Sequence, residues 1–147
     1  MKNPILITLF LITLFACKKK EEPQMVVDPP PLSEAELLAD EQLRAYNNRD
    51  IEAFLVPYSD SVKVFYNLKD FGYQGKDKMR ENYKDWFGSL NDLNCEIINR
   101  ISSGDTVIDH EKVTFKRTNG QEGKMEAMAI YKINNGKIQE VYFTSPK

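Results

Sequence analysis

One stretch of this chain sets three proton-carrying groups side by side, Asp109-His110-Glu111. They interrupt an alternating run in which Val107, Val113 and Phe115 share one phase, the pattern of a strand. Neighbouring strand residues point to opposite faces. His110 and its two acidic neighbours therefore cannot line one pocket together unless a bulge intervenes. The apolar phase turns Asp109 and Glu111 inward, as paired carboxylates able to serve as acid and base. The opposite phase turns His110 inward, as an acid/base or a hydrogen-bonding contact to a ligand. A third reading makes the segment a solvated sheet face with cross-strand ion pairs, for example to Lys124 or Lys132. The residues alone leave all three open.

Little else in the chain can do chemistry. The cysteines are Cys17 and Cys95. With Cys17 committed elsewhere, as argued below, Cys95 has no disulfide mate and reads as a small buried apolar residue, with a catalytic thiol as the alternative. A structural zinc site needs about four Cys or His ligands, so no metal is expected, and no cofactor motif is present. The formal net charge of −2 and pI of about 5.5 come without a basic stripe, which argues against nucleic acid as a partner. Tyr66, Tyr83, Trp86, Tyr131 and Tyr142 carry polar tips on apolar bodies. They suit either a packed core or a pocket for a flat or apolar ligand. Ala127 and Ala129 share one strand face and leave room for a ligand or for a close helix.

The elements that must position these groups are legible in outline. Ser33-Glu34-Ala35-Glu36 is a capping box. It opens a helix with Ala35, Leu38, Ala39, Gln42, Leu43 and Tyr46 on one face. Asp50 caps a short second helix, with Ile51, Phe54, Leu55 and Tyr58 at helical spacing. Residues 61–68 alternate as a strand, and a loop carrying Gly72 and Gly75 follows. Residues 76–90 form an amphipathic helix with Met79, Tyr83, Trp86, Phe87 and Leu90 on one stripe. Strands are predicted over 94–102, 106–117, 123–133 and 137–144, the last two joined by the hairpin signal Asn134-Asn135-Gly136. The order reads as α+β, with helices packed on a curved, mostly antiparallel sheet.

The N-terminus places the domain. Lys2, an apolar run over residues 4–16 and the small Ala16 describe a secretory signal peptide, and the run is short for a bilayer-spanning helix. Leu14, Ala16 and Cys17 resemble the cleavage site of a bacterial lipoprotein, which implies acylation of Cys17 and a firm membrane anchor once two or three chains, such as palmitate, are attached. Residues 17–31 read as a charged, proline-rich tether. Its fourteen residues after Cys17 could reach roughly 40 Å at about 3.1 Å each. Lys20-Glu21-Glu22 resembles a surface-export signal, so the expected site is the bacterial cell envelope, at the outer membrane and surface-exposed. Residues 32–147 are left as one domain's length.

That domain resembles the nuclear transport factor 2-like superfamily, in its SnoaL-like or ketosteroid-isomerase-like branch. The resemblance rests on Tyr46-Asn47-Asn48-Arg49-Asp50-Ile51-Glu52-Ala53-Phe54, Tyr58-Ser59-Asp60-Ser61-Val62, Gly75-Lys76-Asp77-Lys78-Met79 and the hairpin over residues 130–138. It implies a cone-shaped roll of sheet around helices, with a pocket between them. Ketosteroid isomerases use an aspartate base with a tyrosine and a protonated aspartate as oxyanion hole. Those positions fall at Tyr66, Gln42 and Ala129, and none matches, so that activity is not expected. A shared fold does not carry an activity. Three readings follow: a lipid-anchored module binding a small apolar or amphipathic ligand; a SnoaL-like isomerase, cyclase or hydrolase using His110, Asp109 or Glu111; and an interaction domain that forms a homodimer or meets a partner protein through its sheet.

Overall fold

A computed structural model describes residues 30–144. The predicted signal peptide, Cys17 and most of the predicted tether lie outside the described residues. Three helices and six strands follow in the order α1 (Glu34–Asn48), α2 (Ile51–Leu55), β1 (Tyr58–Tyr66), β2 (Asp70–Gln74), α3 (Lys76–Gly88), β3 (Leu90–Ser103), β4 (Thr106–Arg117), β5 (Glu122–Asn134) and β6 (Lys137–Phe143). The strands form one curved, open sheet in the order β2-β1-β6-β5-β4-β3. Only the central β1–β6 pairing is parallel. The α+β expectation holds, and the helices pack on one face of this sheet.

The helices start where the sequence says. Ser33 Oγ accepts from the Glu36 amide while Glu36 accepts from the Ser33 amide, the reciprocal bonding of a capping box. Asp50 caps α2 by accepting from the amides of Glu52 and Ala53. Asn47 fastens α1 to the sheet. Its Nδ2 donates to the Cys95 carbonyl at 3.0 Å, and its Oδ1 accepts from the Cys95 amide at 2.6 Å. The amide side chain thus mimics one rung of a ladder on the edge strand β3, whose backbone groups would otherwise lack partners.

Several boundaries differ from the sequence reading. The predicted strand over 61–68 begins at Tyr58 and ends at Tyr66, and the expected loop around Gly72 is the short strand β2. A hairpin forms because Asn67 and Leu68 both adopt positive φ, 50° and 65°, as a type I′ turn requires. Leucine gives no signal for that conformation, and the amide of Leu68 is held by the Phe143 carbonyl instead. The amphipathic stripe predicted over 76–90 also changes hands. Leu90 opens β3 rather than closing α3, and Gly75, at φ 92°, makes the turn into α3 without a side-chain cap.

A bulge sets the most consequential contact. Ile97 pairs with Glu111 but Asn99 pairs with His110, so β3 gains a residue there. An inserted residue flips the faces of everything beyond it. Arg100, which would otherwise point outward, turns in. Its Nε and Nη2 donate to both carboxylate oxygens of Asp109 at 2.6 and 2.8 Å, and its Nη1 donates to Asp40 on α1 at 2.6 Å. The Asp109 side chain is 0 % exposed. Removing one member of a buried ion pair strands the other, at a cost of about 3–5 kcal/mol. Arg100→Ala should lower the unfolding free energy by that order in urea denaturation, and the double variant Arg100→Leu/Asp109→Leu should recover most of the loss.

Candidate functional site

Between α1, α3 and the inner sheet face lies a cavity of about 330 Å³. From the helices it is lined by Gln42, Leu43, Tyr46, Tyr83 and Trp86. The sheet contributes Tyr58, Tyr66, Cys95, Glu111, Val113, Met125, Ala127, Tyr131 and Phe143. Its size falls at the lower end of the range of about 300–1,000 Å³ typical of small-molecule sites. Space exists over the sheet because Ala127 stands opposite Glu111 in the ladder, and an alanine fills little of the volume between two strands and a helix. The walls are largely aromatic. Phe54 and Tyr83 meet at a centroid distance of 4.4 Å, and Tyr46 packs edge-on against Phe87 at 5.5 Å. Trp86 rests edge-on against Phe115 at 5.1 Å. Phe115 can lie there because Gly123 opposite has no Cβ, which would collide with its ring.

One polar chain crosses this apolar space. Tyr58 Oη donates to Gln42 Oε1 at 3.3 Å, Gln42 Nε2 donates to Tyr131 Oη at 3.0 Å, and Tyr131 Oη donates to Glu111 Oε1 at 2.9 Å. Every proton points toward the carboxyl group. Among the described residues, Ser59 Oγ is the one sealed side-chain polar atom without a partner. Glu111 Oε2, which also has no protein partner there, is therefore open to the cavity. Tyr46 supplies a second polar point: it accepts from Trp86 Nε1 at 3.1 Å and has a hydroxyl proton left to offer.

Burial pushes the Glu111 carboxyl up to about 7, opposed by the Tyr131 hydrogen bond, raised further by the charge of Asp109 and offset by Arg100. Burial likewise holds the Tyr131 and Tyr58 phenols well above their ordinary range, so both stay neutral donors. The Cys95 thiol is also pushed up, first by burial and then by the charges of Glu111 and Asp109. A nucleophilic thiol requires the opposite shift, so Cys95 serves as apolar lining. Among the described residues no three His, Cys, Asp or Glu side chains stand close enough to hold a metal ion.

The three proton-carrying residues of β4 part company. Asp109 and Glu111 face inward with Val107 and Val113. Glu111 reaches the cavity, whereas both oxygens of Asp109 are held by Arg100. His110 faces the other side of the sheet, half-exposed, with Nε2 3.5 Å from Glu126. Of the other candidates, Tyr66, Tyr83, Trp86, Tyr131 and Ala127 line the cavity. Ala129 is buried opposite Asp109 without reaching it. Tyr142 lies on the outer face, stacked on Phe65 at 4.6 Å with its hydroxyl donating to Glu140. The residues that sequence reasoning passed over are Tyr46, Tyr58 and Gln42. Gln42 had left a signal: it is the one polar residue within the apolar face of α1.

Comparison with known proteins agrees with this architecture. A family model described as a SnoaL-like domain matches residues 39–141. An uncharacterised cystatin-fold protein from Novosphingobium aromaticivorans is similar over 77% of this chain and 98% of its own, at 23% identity and a TM-score of 0.68. A Mycobacterium tuberculosis protein solved in complex with estradiol-17β-hemisuccinate is similar over 76% of this chain and 93% of its own, at 17% identity and a TM-score of 0.67. An LEH-like epoxide hydrolase from the same organism is similar over 78% of this chain and 84% of its own, at 13% identity and a TM-score of 0.67. At these identities the likeness is one of fold. No curated protein matches the chain.

The raised carboxyl makes a measurable demand on stability. Between about pH 4.5 and 7 the unfolded chain releases the Glu111 proton and the folded one retains it. Folding is then favoured at the acid end and loses roughly 3 kcal/mol as pH rises through this window, levelling off above it. Glu111→Gln should remove that slope. The difference between wild type and variant in urea denaturation from pH 4.5 to 8 should therefore grow with pH, in favour of the variant.

Proposed function

Since the chain belongs to the SnoaL-like domain family, we propose that it is a lipid-anchored envelope protein whose cavity binds a small amphipathic molecule. The ligand on this reading is an apolar ring or chain with one neutral hydroxyl or carbonyl group. The observation that carries the reading is a largely apolar cavity with a single carboxyl oxygen, Glu111 Oε2, open to it. Aromatic walls bury the ligand body, and Glu111 and Tyr46 meet its polar tip. A protonated Glu111 donates to a carbonyl, and an ionised one accepts from a hydroxyl. An anionic tip is disfavoured, because it would place a second negative charge beside a buried carboxyl group.

The anchor rests on Leu14, Ala16 and Cys17, and the envelope address on the signal sequence before them. Among the described residues no helix is long and apolar enough to cross a membrane. Cys17→Ala should move the chain from the membrane fraction to the soluble one. Retention through a carbonate wash would contradict the acylation reading.

A second reading, an isomerase, cyclase or hydrolase of the SnoaL-like kind, is favoured by one feature: a carboxyl group that titrates near neutrality within an enclosed site, as a general acid or base requires. Binding is tested with 1-naphthol, a flat apolar ring carrying one hydroxyl. Saturable fluorescence quenching is expected for the wild type. Loss of binding is expected for Ala127→Trp, which fills the space over Glu111 with the fold retained by circular dichroism. Equal binding by both proteins would sink the cavity reading. Native mass spectrometry of the detergent-solubilised full chain separates the two functions. A co-purified molecule that keeps its mass on prolonged incubation speaks for binding, and one converted by wild type but not by Glu111→Gln speaks for catalysis.

A further inference from the structure

The proton order of the chain that ends at Glu111 is fixed from its far end. Tyr58 is 2% exposed, and among the described residues Gln42 Oε1 is the one acceptor its hydroxyl reaches. A buried hydroxyl proton without an acceptor is costly. Tyr58 therefore holds the carboxamide oxygen of Gln42 toward itself, and the carboxamide nitrogen is left to face Tyr131. That nitrogen only donates. The Tyr131 proton must then leave in the other direction, to Glu111 Oε1. Turning the Gln42 carboxamide over would reverse the later bonds, but it would strand the Tyr58 proton. Oε1 of Glu111 is thus held as an acceptor in both forms of the carboxyl group. When Glu111 is protonated, its proton sits on Oε2, the oxygen open to the cavity.

Resting on the binding reading above, we propose that Tyr58 and Gln42 determine which polar tip the cavity selects, by making Glu111 a donor alone to the ligand when protonated and an acceptor alone when ionised. A carboxyl group free to choose between its oxygens could turn its proton back onto Tyr131 and go on accepting from a ligand, so it would hold a hydroxyl in either form. The locked group cannot. Protonated, it favours a carbonyl tip, because a hydroxyl placed there uses only its oxygen on Oε2 and must find another partner for its proton in an apolar space. Ionised, it favours a hydroxyl tip, because a carbonyl there sets two acceptors against each other. Tyr46 offers the same hydroxyl in both cases and does not add to the difference.

Glu111 is also the group facing this space that changes form near neutrality, since burial raises its carboxyl to about 7. Burial pushes up the phenols of Tyr46 on α1, Tyr58 and Tyr66 on β1, Tyr83 on α3 and Tyr131 on β5. It does the same to the Cys95 thiol on β3. All of these stay neutral at both pH values used below. The charges of Asp109 on β4 and Arg100 on β3 are taken up by each other and by Asp40.

The test compares 1-tetralone with 1-tetralol, one ring skeleton tipped by a carbonyl or a hydroxyl. Their affinities for the detergent-solubilised full chain are measured by isothermal titration calorimetry at pH 5 and 8.5. Wild type should prefer tetralone about fivefold at pH 5 and tetralol about fivefold at pH 8.5, the worth of about one net hydrogen bond. Tyr58→Phe, with its fold retained by circular dichroism, frees the Gln42 carboxamide to turn. It should bind tetralol at pH 5 about fivefold more tightly than wild type does. At pH 8.5, where Tyr131 donates to the carboxylate in both proteins, the two should agree. A variant merely loosened in structure would weaken at both pH values. Failure of wild type to bind either compound would overturn the binding reading and this inference together. Binding of both with a preference that does not reverse with pH, or a Tyr58→Phe profile identical to wild type or weakened at both pH values, would overturn this inference alone.

Discussion

The interior of this domain must accommodate two carboxyl groups that enter it two residues apart on β4, and much of its architecture follows from how each is satisfied. A carboxylate taken from water without a partner costs several kcal/mol. Asp109 is met by a guanidinium that binds both its oxygens and reaches across to Asp40 on α1, so its charge is spent on fastening helix to sheet. Glu111 receives no cation. It receives a file of neutral donors ending at the Tyr131 hydroxyl, and burial raises its carboxyl toward neutrality. Two like residues on one strand face thus acquire different roles from their surroundings alone, one as a fixed charge and one as a titratable group open to a cavity.

The cavity depends on the same arrangement. Gln42 joins the phenols of Tyr58 and Tyr131, and Ala127 opposite Glu111 leaves the space that a larger residue would fill. A domain built only for stability would close that space, since each lost contact in an interior weakens packing. Here the walls are braced from outside instead. Phe115 supports Trp86, Gly123 lets Phe115 lie flat, and Arg117 stacks at 5.4 Å over the Phe115 ring.

Local patterns proved legible and long-range partners did not. The capping box at Ser33, the Asp50 cap and the hairpin at Asn135-Gly136 follow from spacing within a few residues, whereas the inward phase of Asp109 and Glu111 was one of three readings that the residues left open. The strand β2 escaped because only Tyr73 is buried among its five residues and its turn is made by Asn67 and Leu68 rather than glycine. Arg100 could not be matched to Asp109 because the bulge between Ile97 and Asn99 inverts the alternation that sequence reasoning assumes. Tyr142 shares the aromatic composition of the cavity residues, and only the register of β6 against β1 and β5 turns it to the outer face. The role of Gln42 was half visible, as a polar residue out of place on an apolar stripe.

The central claim is that Glu111 is the titratable group a ligand meets in a largely apolar site. The most direct measurement is a carbon-13 titration of the Glu111 carboxyl carbon by nuclear magnetic resonance, assigned by loss of its signal in Glu111→Gln and repeated with saturating 1-naphthol. The account predicts a midpoint near 7 in the free protein and a displaced midpoint with naphthol bound. A midpoint near the ordinary glutamate value of about 4.3, unmoved by naphthol, would contradict it.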